Sequence, residues 1–419
     1  MERWKINLYT LWVTQVFSLM SFGLGIPFIP YYFQEMGLTN PTQLNLAVGL
    51  ASTLPAASMA VAAPIWGILS DRYGRKMMIM RAMLCASAIL TLMGFARSVA
   101  FFLVIRIAQG IFTGTITASM AFVSANTPEN RMSYALGFMT SSNFLGYSIG
   151  PFLGGVLAER LGYSVCFFAG GALMLAGFFM VMGLVVEDKA SYGPALMARL
   201  EEEAAEKGGG RKRRLFTPMI LSVIAALFVA RVARTIFTPF VPLFVQSSIG
   251  GLSGAAACTG IINGATGAAT AVAALTLTRL GDKYNKFKLA FVLTIVSLPA
   301  AILLVPFHSL LLFVAIYTVF FFFAGGIEPI LTSAASENTS PTMRGALFGT
   351  LGTVNSAAMM TAPMIGSFLS IRWGLGSILA VIPLFVALQL LLLYRNRNIG
   401  VAIRDIELEF EAEGRETYD

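Results

Sequence analysis

The chain is short of charge, of cysteine and above all of histidine, and each shortage removes a class of function. Only 12% of its 419 residues are Asp, Glu, Lys or Arg, while 57% are apolar. A water-soluble domain carries roughly twice that share of charge, so a soluble globular fold is excluded. The one histidine, His308, falls at an apparent loop. The three cysteines, Cys85, Cys166 and Cys258, lie far apart in apolar surroundings. Neither a disulfide framework nor a metal set is predicted from them, and they read as small buried hydrophobes. No G-x-x-x-x-G-K-[ST] phosphate cradle occurs, which excludes a nucleotide-driven pump. Nor do acids, His or Cys cluster near a helix end, as an enzyme would require. No cofactor, metal or nucleic acid is therefore expected.

What the chain has in excess is apolar length. Mean hydropathy is +0.76, and runs of about 20 apolar residues recur, as in a polytopic helical membrane protein. Runs bounded by charge, Pro or Gly give twelve segments, near 8–33, 44–70, 77–97, 99–123, 132–158, 163–186, 217–246, 254–280, 287–306, 309–333, 343–371 and 375–394. The first is too long for a signal-peptide core and lacks a small-residue cleavage site, so it is expected to remain as span one. The 40 glycines suit close helix packing in lipid.

The net charge of +8 sits mostly in short loops. One set of loops and ends carries Arg3, Lys5, Arg72, Arg75, Lys76, Arg131, Lys189, Arg199, Lys207, Arg211 to Arg214, Lys283, Lys286, Lys288, Arg344, Arg395 and Arg397. The opposite set carries Arg97, Arg160 and Arg372. The rich side is expected to be cytoplasmic, and an even number of spans puts both termini there.

The sequence also repeats. Pro27 and Pro30 recur as Pro239 and Pro242, an offset of 212. Pro128, Arg131 and Gly137 recur as Pro341, Arg344 and Gly349, at 213, 213 and 212. Asn143 and Pro151 recur as Asn355 and Pro363 at 212, and the acid-led turn at Asp71 recurs at Asp282 at 211. The expected organisation is a six-helix bundle over 1–186, a cytoplasmic linker over 187–216, a second six-helix bundle over 217–395 and a tail over 396–419. The linker holds Gly208 to Gly210 and the basic run Arg211 to Arg214, which suits contact with anionic lipid headgroups.

Residues 63–76 read APIWGILSDRYGRK. An apolar helix gives way to Asp71 and then to Arg72, Gly74, Arg75 and Lys76 in one tight turn, spaced G-x-x-x-D-R-x-G-R-K from Gly67. This resembles the loop between the second and third spans of the major facilitator superfamily. Its echo at Asp282 is degraded, with Asn285 and Phe287 where the first copy has Gly74 and Lys76, an asymmetry also typical of that family. The resemblance implies an all-α membrane fold of twelve helices in two pseudo-symmetric six-helix bundles. It implies a cytoplasmic latch made by Gly67, Asp71, Arg72, Gly74, Arg75, Lys76 and Arg344. Span five holds Gly146, Gly150, Pro151, Gly154 and Gly155, matching G-x-x-x-G-P-x-x-G-G, which in the family is typical of exporters acting as antiporters. The paired prolines Pro27 and Pro30 resemble span one of the twelve-span drug/proton antiporter branch.

Four ionisable residues fall inside spans that line the cavity in such a fold: Arg106 in span four, Arg231 and Arg234 in span seven, and Glu328 in span ten. Arg106 and Gln109 are three residues apart and share a helix face, in the family pattern R-x-x-Q-G. Glu328 is the one acid deep in an apolar run. Burial and a nearby arginine act on a carboxyl in opposite senses, so Glu328 is the first candidate for proton coupling, with Asp71 and Glu35 behind it. Phe22, Tyr31, Tyr147, Phe237 and Phe320, with the methionines Met359 and Met360, are candidate walls of an adaptable cavity. The expected activity is export of amphipathic small molecules by alternating access, driven by the proton gradient. The alternative is export of one anionic metabolite, lipid or siderophore, since three arginines face one acid. The expected setting is a bacterial inner membrane, as a monomer in contact with protons, substrate and lipid.

Overall fold

The computed structural model describes residues 2–128, 131–187, 218–281, 283–305, 309–339 and 343–394. All regular structure among them is helical. Eleven of the helical stretches are long and apolar enough to cross a membrane. The remaining long helix, α7 (Met132–Leu161), has 30 residues. At about 1.5 Å per residue it too has the length to cross. Its middle is weakened as an apolar run by Thr140, Ser141, Ser142, Asn143, Tyr147 and Ser148.

Span one is α1 (Arg3–Gly25), a 3₁₀ turn over Ile26–Phe28 and α2 (Ile29–Glu35). Pro27 and Pro30 lack the N–H groups that a continuous helix would need there, so the bend falls at those residues. Span seven repeats the arrangement: α9 (Pro218–Thr235), a 3₁₀ turn over Thr238–Phe240 holding Pro239, and α10 (Val241–Ile249) starting beside Pro242. Between them lie α3 (Pro41–Tyr73), α4 (Arg75–Gly94), α5 (Val99–Phe112), α6 (Thr115–Asn126), α7 and α8 (Tyr163–Leu184). The chain continues as α11 (Ala255–Gly281), α12 (Lys286–Leu303), α13 (Leu310–Glu337), α14 (Arg344–Trp373) and α15 (Gly376–Tyr394).

Span four departs from the expected continuous run over 99–123. It breaks between α5 and α6, where Thr113 is extended and Gly114 has φ +126°. Only glycine takes that conformation without strain. The break is tolerable because neighbours satisfy it: the Trp66 indole donates to Ile111 O at 2.6 Å, and the Thr113 hydroxyl donates to Gln109 O at 2.7 Å. Helix ends elsewhere run a few residues past the apolar runs, because charged ends such as Arg3 and Asp71–Tyr73 stay helical.

Two compact units emerge. One comprises Met1–Lys212, Thr238–Ala268 and Pro363–Leu375; the other comprises Arg213–Phe237, Ala269–Ala362 and Gly376–Asp419. Inside the first, α1 packs on α6, α7 and α8, and α4 packs on α5, α6 and α8. Inside the second, α9 packs on α13 and α15, and α12 packs on α13 and α15. The pairing of spans one, three, four and six is thus repeated by spans seven, nine, ten and twelve, as the 212-residue offset requires. The second unit's core joins Val223, Phe287, Ala290, Ile327 and Leu331.

Candidate functional site

In the second unit, α9 and α13 bring the intramembrane charges together. The three-residue spacing of Arg231 and Arg234 puts both on one face of α9, opposite Glu328. Arg231 Nη1 donates to Glu328 Oε2 at 2.9 Å, and Arg234 Nη2 donates to the same oxygen. Arg234 is 9% exposed, Arg231 28% and Glu328 36%. A carboxylate held by two guanidiniums this far inside a span is a charge-assisted bond, stronger than its water-exposed counterpart. The group carries net positive charge, because one acid offsets two bases. Arg231 and Glu328 line a cavity of about 40 Å³ with Thr332, Val354 and Asn355. That is room for a water or a small polar group, not for a drug-sized ligand.

The other candidates for the cavity wall are placed differently. Arg106 is buried, donating through Nε to Ala51 O at 2.6 Å and through Nη1 to Gln109 Oε1. The pair spans α3 and α5 and is enclosed in helix packing. Tyr31 is fully buried in the first unit and donates to Pro242 O at 2.6 Å, with Thr259 Oγ1 at 2.9 Å. One helical turn on, Gln34 and Gln246 exchange two amide hydrogen bonds of 2.8 Å each. These two glutamines stand 212 residues apart, so the repeat meets itself there. Phe237 and Phe320 are fully buried, Phe237 edge-on to Phe313 and Tyr317. Phe22 is half-buried, and Tyr147 is 52% exposed.

The turn that follows α3 is built around Gly74, whose φ of +96° demands glycine. Asp71 and Arg72 are exposed beside it, and a side chain at Gly67 would meet open space. The acid that engages this turn is one the sequence reading assigned to the linker. Glu187, just beyond α8, accepts from the backbone N–H of Arg75 at 2.8 Å and of Lys76 at 2.9 Å. The Lys76 ammonium donates back to Met182 O at 3.0 Å. Glu187 therefore caps the N-terminus of α4, where an anion is favoured by both the free N–H groups and the helix dipole. Glu187→Ala is expected to destabilise that end of α4 by about 1 kcal/mol. Amide exchange at residues 75–78 should then quicken about fivefold, with little change elsewhere; unchanged exchange there would remove Glu187 from this role. The side chain of Arg344, the linker from Asp188 to Thr217, Asp282, His308 and the tail lie outside the described residues.

In the helix expected to mark an antiporter, Gly146, Gly150 and Gly154 press against α1, and Gly155 presses against α11. A Cβ on Gly150 would lie 3.0 Å from the Cα atoms of Gly23 and Met20. A Cβ on Gly155 would lie 2.7 Å from Ala256 O and 3.0 Å from the Cα of Gly260. Backbone meets backbone on both sides of α7, which only glycine permits.

Residues 11–254 and 223–408 match the family described as the Major Facilitator Superfamily. The Multidrug resistance protein MdtG of Salmonella schwarzengrund (strain CVM19633) is 26% identical over 405 residues, covering 95% of this chain and 98% of that protein. The protein of the same name from Salmonella arizonae is 26% identical over 382 residues, covering 90% and 92%. Among solved structures, a bacterial homolog of the human lysosomal transporter Spinster, inward-facing and occupied, gives a TM-score of 0.77 at 14% identity, covering 94% of this chain and 97% of that one. The human organic anion transporter MFSD10 (TETRAN) gives 0.68 at 17% identity, covering 94% and 100%. At those identities the two structures speak for the fold alone.

Proposed function

The chain belongs to the major facilitator superfamily, and from that premise we propose that it exports amphipathic small molecules in exchange for protons by alternating access. It is a multi-pass membrane transporter with a small-molecule substrate, not an enzyme. The observation that carries the proposal is the Glu328 carboxylate shared by Arg231 and Arg234 beside a small cavity. Such a carboxyl can exchange its arginine partners for a proton, and the arginines can pass to substrate or water as it does so. The naming of the relatives as multidrug resistance proteins supports export, and so does the close glycine crossing of α7. The reading also includes a bacterial plasma membrane, cytoplasmic termini and a monomeric working unit.

Proteoliposomes with an imposed pH gradient, screened with cationic, neutral and anionic amphiphiles, test it. Uphill movement that collapses with a protonophore is expected. Transport indifferent to the gradient would overturn proton coupling. A second reading, export of one anionic metabolite, lipid or siderophore, is favoured by the net positive charge of the Arg231–Arg234–Glu328 group. It predicts transport confined to the anionic members of the same screen.

Asp71→Asn is expected to slow the transport cycle while leaving substrate affinity in place. Asp71 is exposed at the turn after α3 and lies in a different unit from the Glu328 group. In the proposed cycle it latches one conformation, and a latch mutation changes populations before it changes binding. Spin-label distances between the cytoplasmic ends of the two halves should shift. Unchanged distances together with lost binding would refute the latch.

A further inference from the structure

A cavity in the first unit holds none of the Glu328 group. It measures about 530 Å³ and opens where α1 begins and α7 begins, between Trp4, Lys5, Tyr9, Arg131 and Tyr134. That volume is in the range of small-molecule sites. Trp4, Tyr9 and Tyr134 put flat rings on its wall. Tyr9 meets Phe138 edge-on at 5.4 Å, Tyr134 stacks on the same ring at 6.0 Å, and Trp12 stacks on it at 5.3 Å. Trp12 is pinned in turn by its indole N–H, which donates to Ser141 Oγ at 2.9 Å. The aromatic column is therefore anchored across both helices.

Its charge is lopsided. Glu2 is the one acid on the wall among the described residues, and it is already spent. Its carboxylate accepts from the Trp4 indole at 3.0 Å and pairs with the Lys5 ammonium at 2.9 Å. Lys5, with Arg131 behind it, holds the Glu2 carboxyl below its usual range. Arg131 has no ion pair among the described residues, and its side chain is exposed at the rim. A planar guanidinium at the mouth of a ring-lined cavity matches a planar or tetrahedral oxyanion carried on a flat body. The rings take the body, and the fork takes the oxygens. Among the described lining residues a cation would meet Lys5 and Arg131, and the acid there, Glu2, is already paired with Lys5.

We propose that this cavity is a second binding site, separate from the Glu328 group, for flat aromatic molecules bearing one anionic group. It is built by α1 and α7, the same pair that the glycine stripe of α7 joins, so a ligand there sits beside a close helix crossing without touching it. The site needs no proton coupling and no transport.

The test uses the full-length protein in nanodiscs of zwitterionic lipid and follows tryptophan fluorescence and calorimetric heat. The probes are 1-naphthalenesulfonate and its cationic counterpart 1-naphthylmethylammonium. Saturable binding of the sulfonate is expected, with the ammonium at least about tenfold weaker. Arg131→Ala should weaken the sulfonate about tenfold, as for loss of one charge-assisted bond. Arg131→Lys should recover part of that, and Trp4→Phe should remove most of the fluorescence change while leaving the heat. Glu328→Gln should leave the Arg131-dependent part of the binding unchanged, which separates this site from the proposed transport function: either can fail alone. Equal binding of the two probes, or an Arg131→Ala protein that binds the sulfonate like the parent, would overturn the proposal.

Discussion

Gly150→Leu and Gly154→Leu are each expected to reduce transport below about a tenth of the parent rate in a protein that still inserts into the membrane. A Cβ on Gly154 would already stand 2.8 Å from the Cα of Leu24 and from the ring of Phe28. At Gly150 the atoms met are the Cα of Gly23 and the Cα and O of Met20, each at 3.0 Å. Backbone cannot move aside as a flexible side-chain end can. Overpacking of this kind costs about 1–3 kcal/mol or more, and here it must push α1 away from α7. Insertion depends on the apolar runs, which the substitutions leave intact. Gly150→Ala adds only the first atom of that clash and should retain part of the rate. Gly183→Leu supplies the control, because a Cβ there meets nothing within 4 Å; it should transport like the parent. The readout is initial rate in proteoliposomes, normalised to inserted protein. Parent-like rates from both stripe variants would show that the close crossing of α7 is packing without consequence for transport.

The stripe was legible because four-residue spacing on a helix is a local property. So were the bends of spans one and seven, since proline announces itself. That Glu328 would need a cation nearby was legible for a different reason, though not that Arg231 and Arg234 would share one of its oxygens. A deep acid in lipid must find a cation, and few were on offer. The break in span four was not legible. Thr113 and Gly114 sit in a stretch with no charge and no proline, and the break depends on Trp66, 45 residues earlier, accepting the role of donor to Ile111. Glu187 was read as the start of a linker because nothing local connects it to Arg75, 112 residues away. The free N–H groups at the start of α4 were the one available signal: a helix beginning immediately after a glycine turn lacks a side-chain cap of its own. Arg106 and Tyr31 read as polar groups in cavity-lining spans, and both are instead consumed by carbonyls on neighbouring helices. Composition announces that a polar group in an apolar helix needs a partner. It does not say whether that partner is substrate or another helix.

Glu328→Gln is expected to separate substrate movement from the proton gradient. The amide has the shape of the protonated acid but cannot release a proton, so downhill exchange should persist while uphill export fails. In the folded protein the substitution also removes the shared acceptor of Arg231 and Arg234, with Arg231 on the wall of a cavity of about 40 Å³. That second consequence makes the pair of arginines a test of substrate charge. If the substrate is an anion, Glu328→Gln should bind it more tightly, because the competing carboxylate is gone. Arg231→Ala or Arg234→Ala should then weaken binding by about 2 kcal/mol, or roughly thirtyfold in Kd. If the substrate is a cation or a neutral amphiphile, Glu328→Gln should weaken a cation and leave a neutral molecule unchanged, while the alanine variants should bind as well as the parent or better. Binding measured by calorimetry and transport measured with and without a pH gradient keep the two questions apart. A Glu328→Gln protein that still concentrates substrate against its gradient would remove this carboxyl from coupling. The proton site would then have to be sought at Asp71 or Glu35, both of which lie at helix ends where water can reach them.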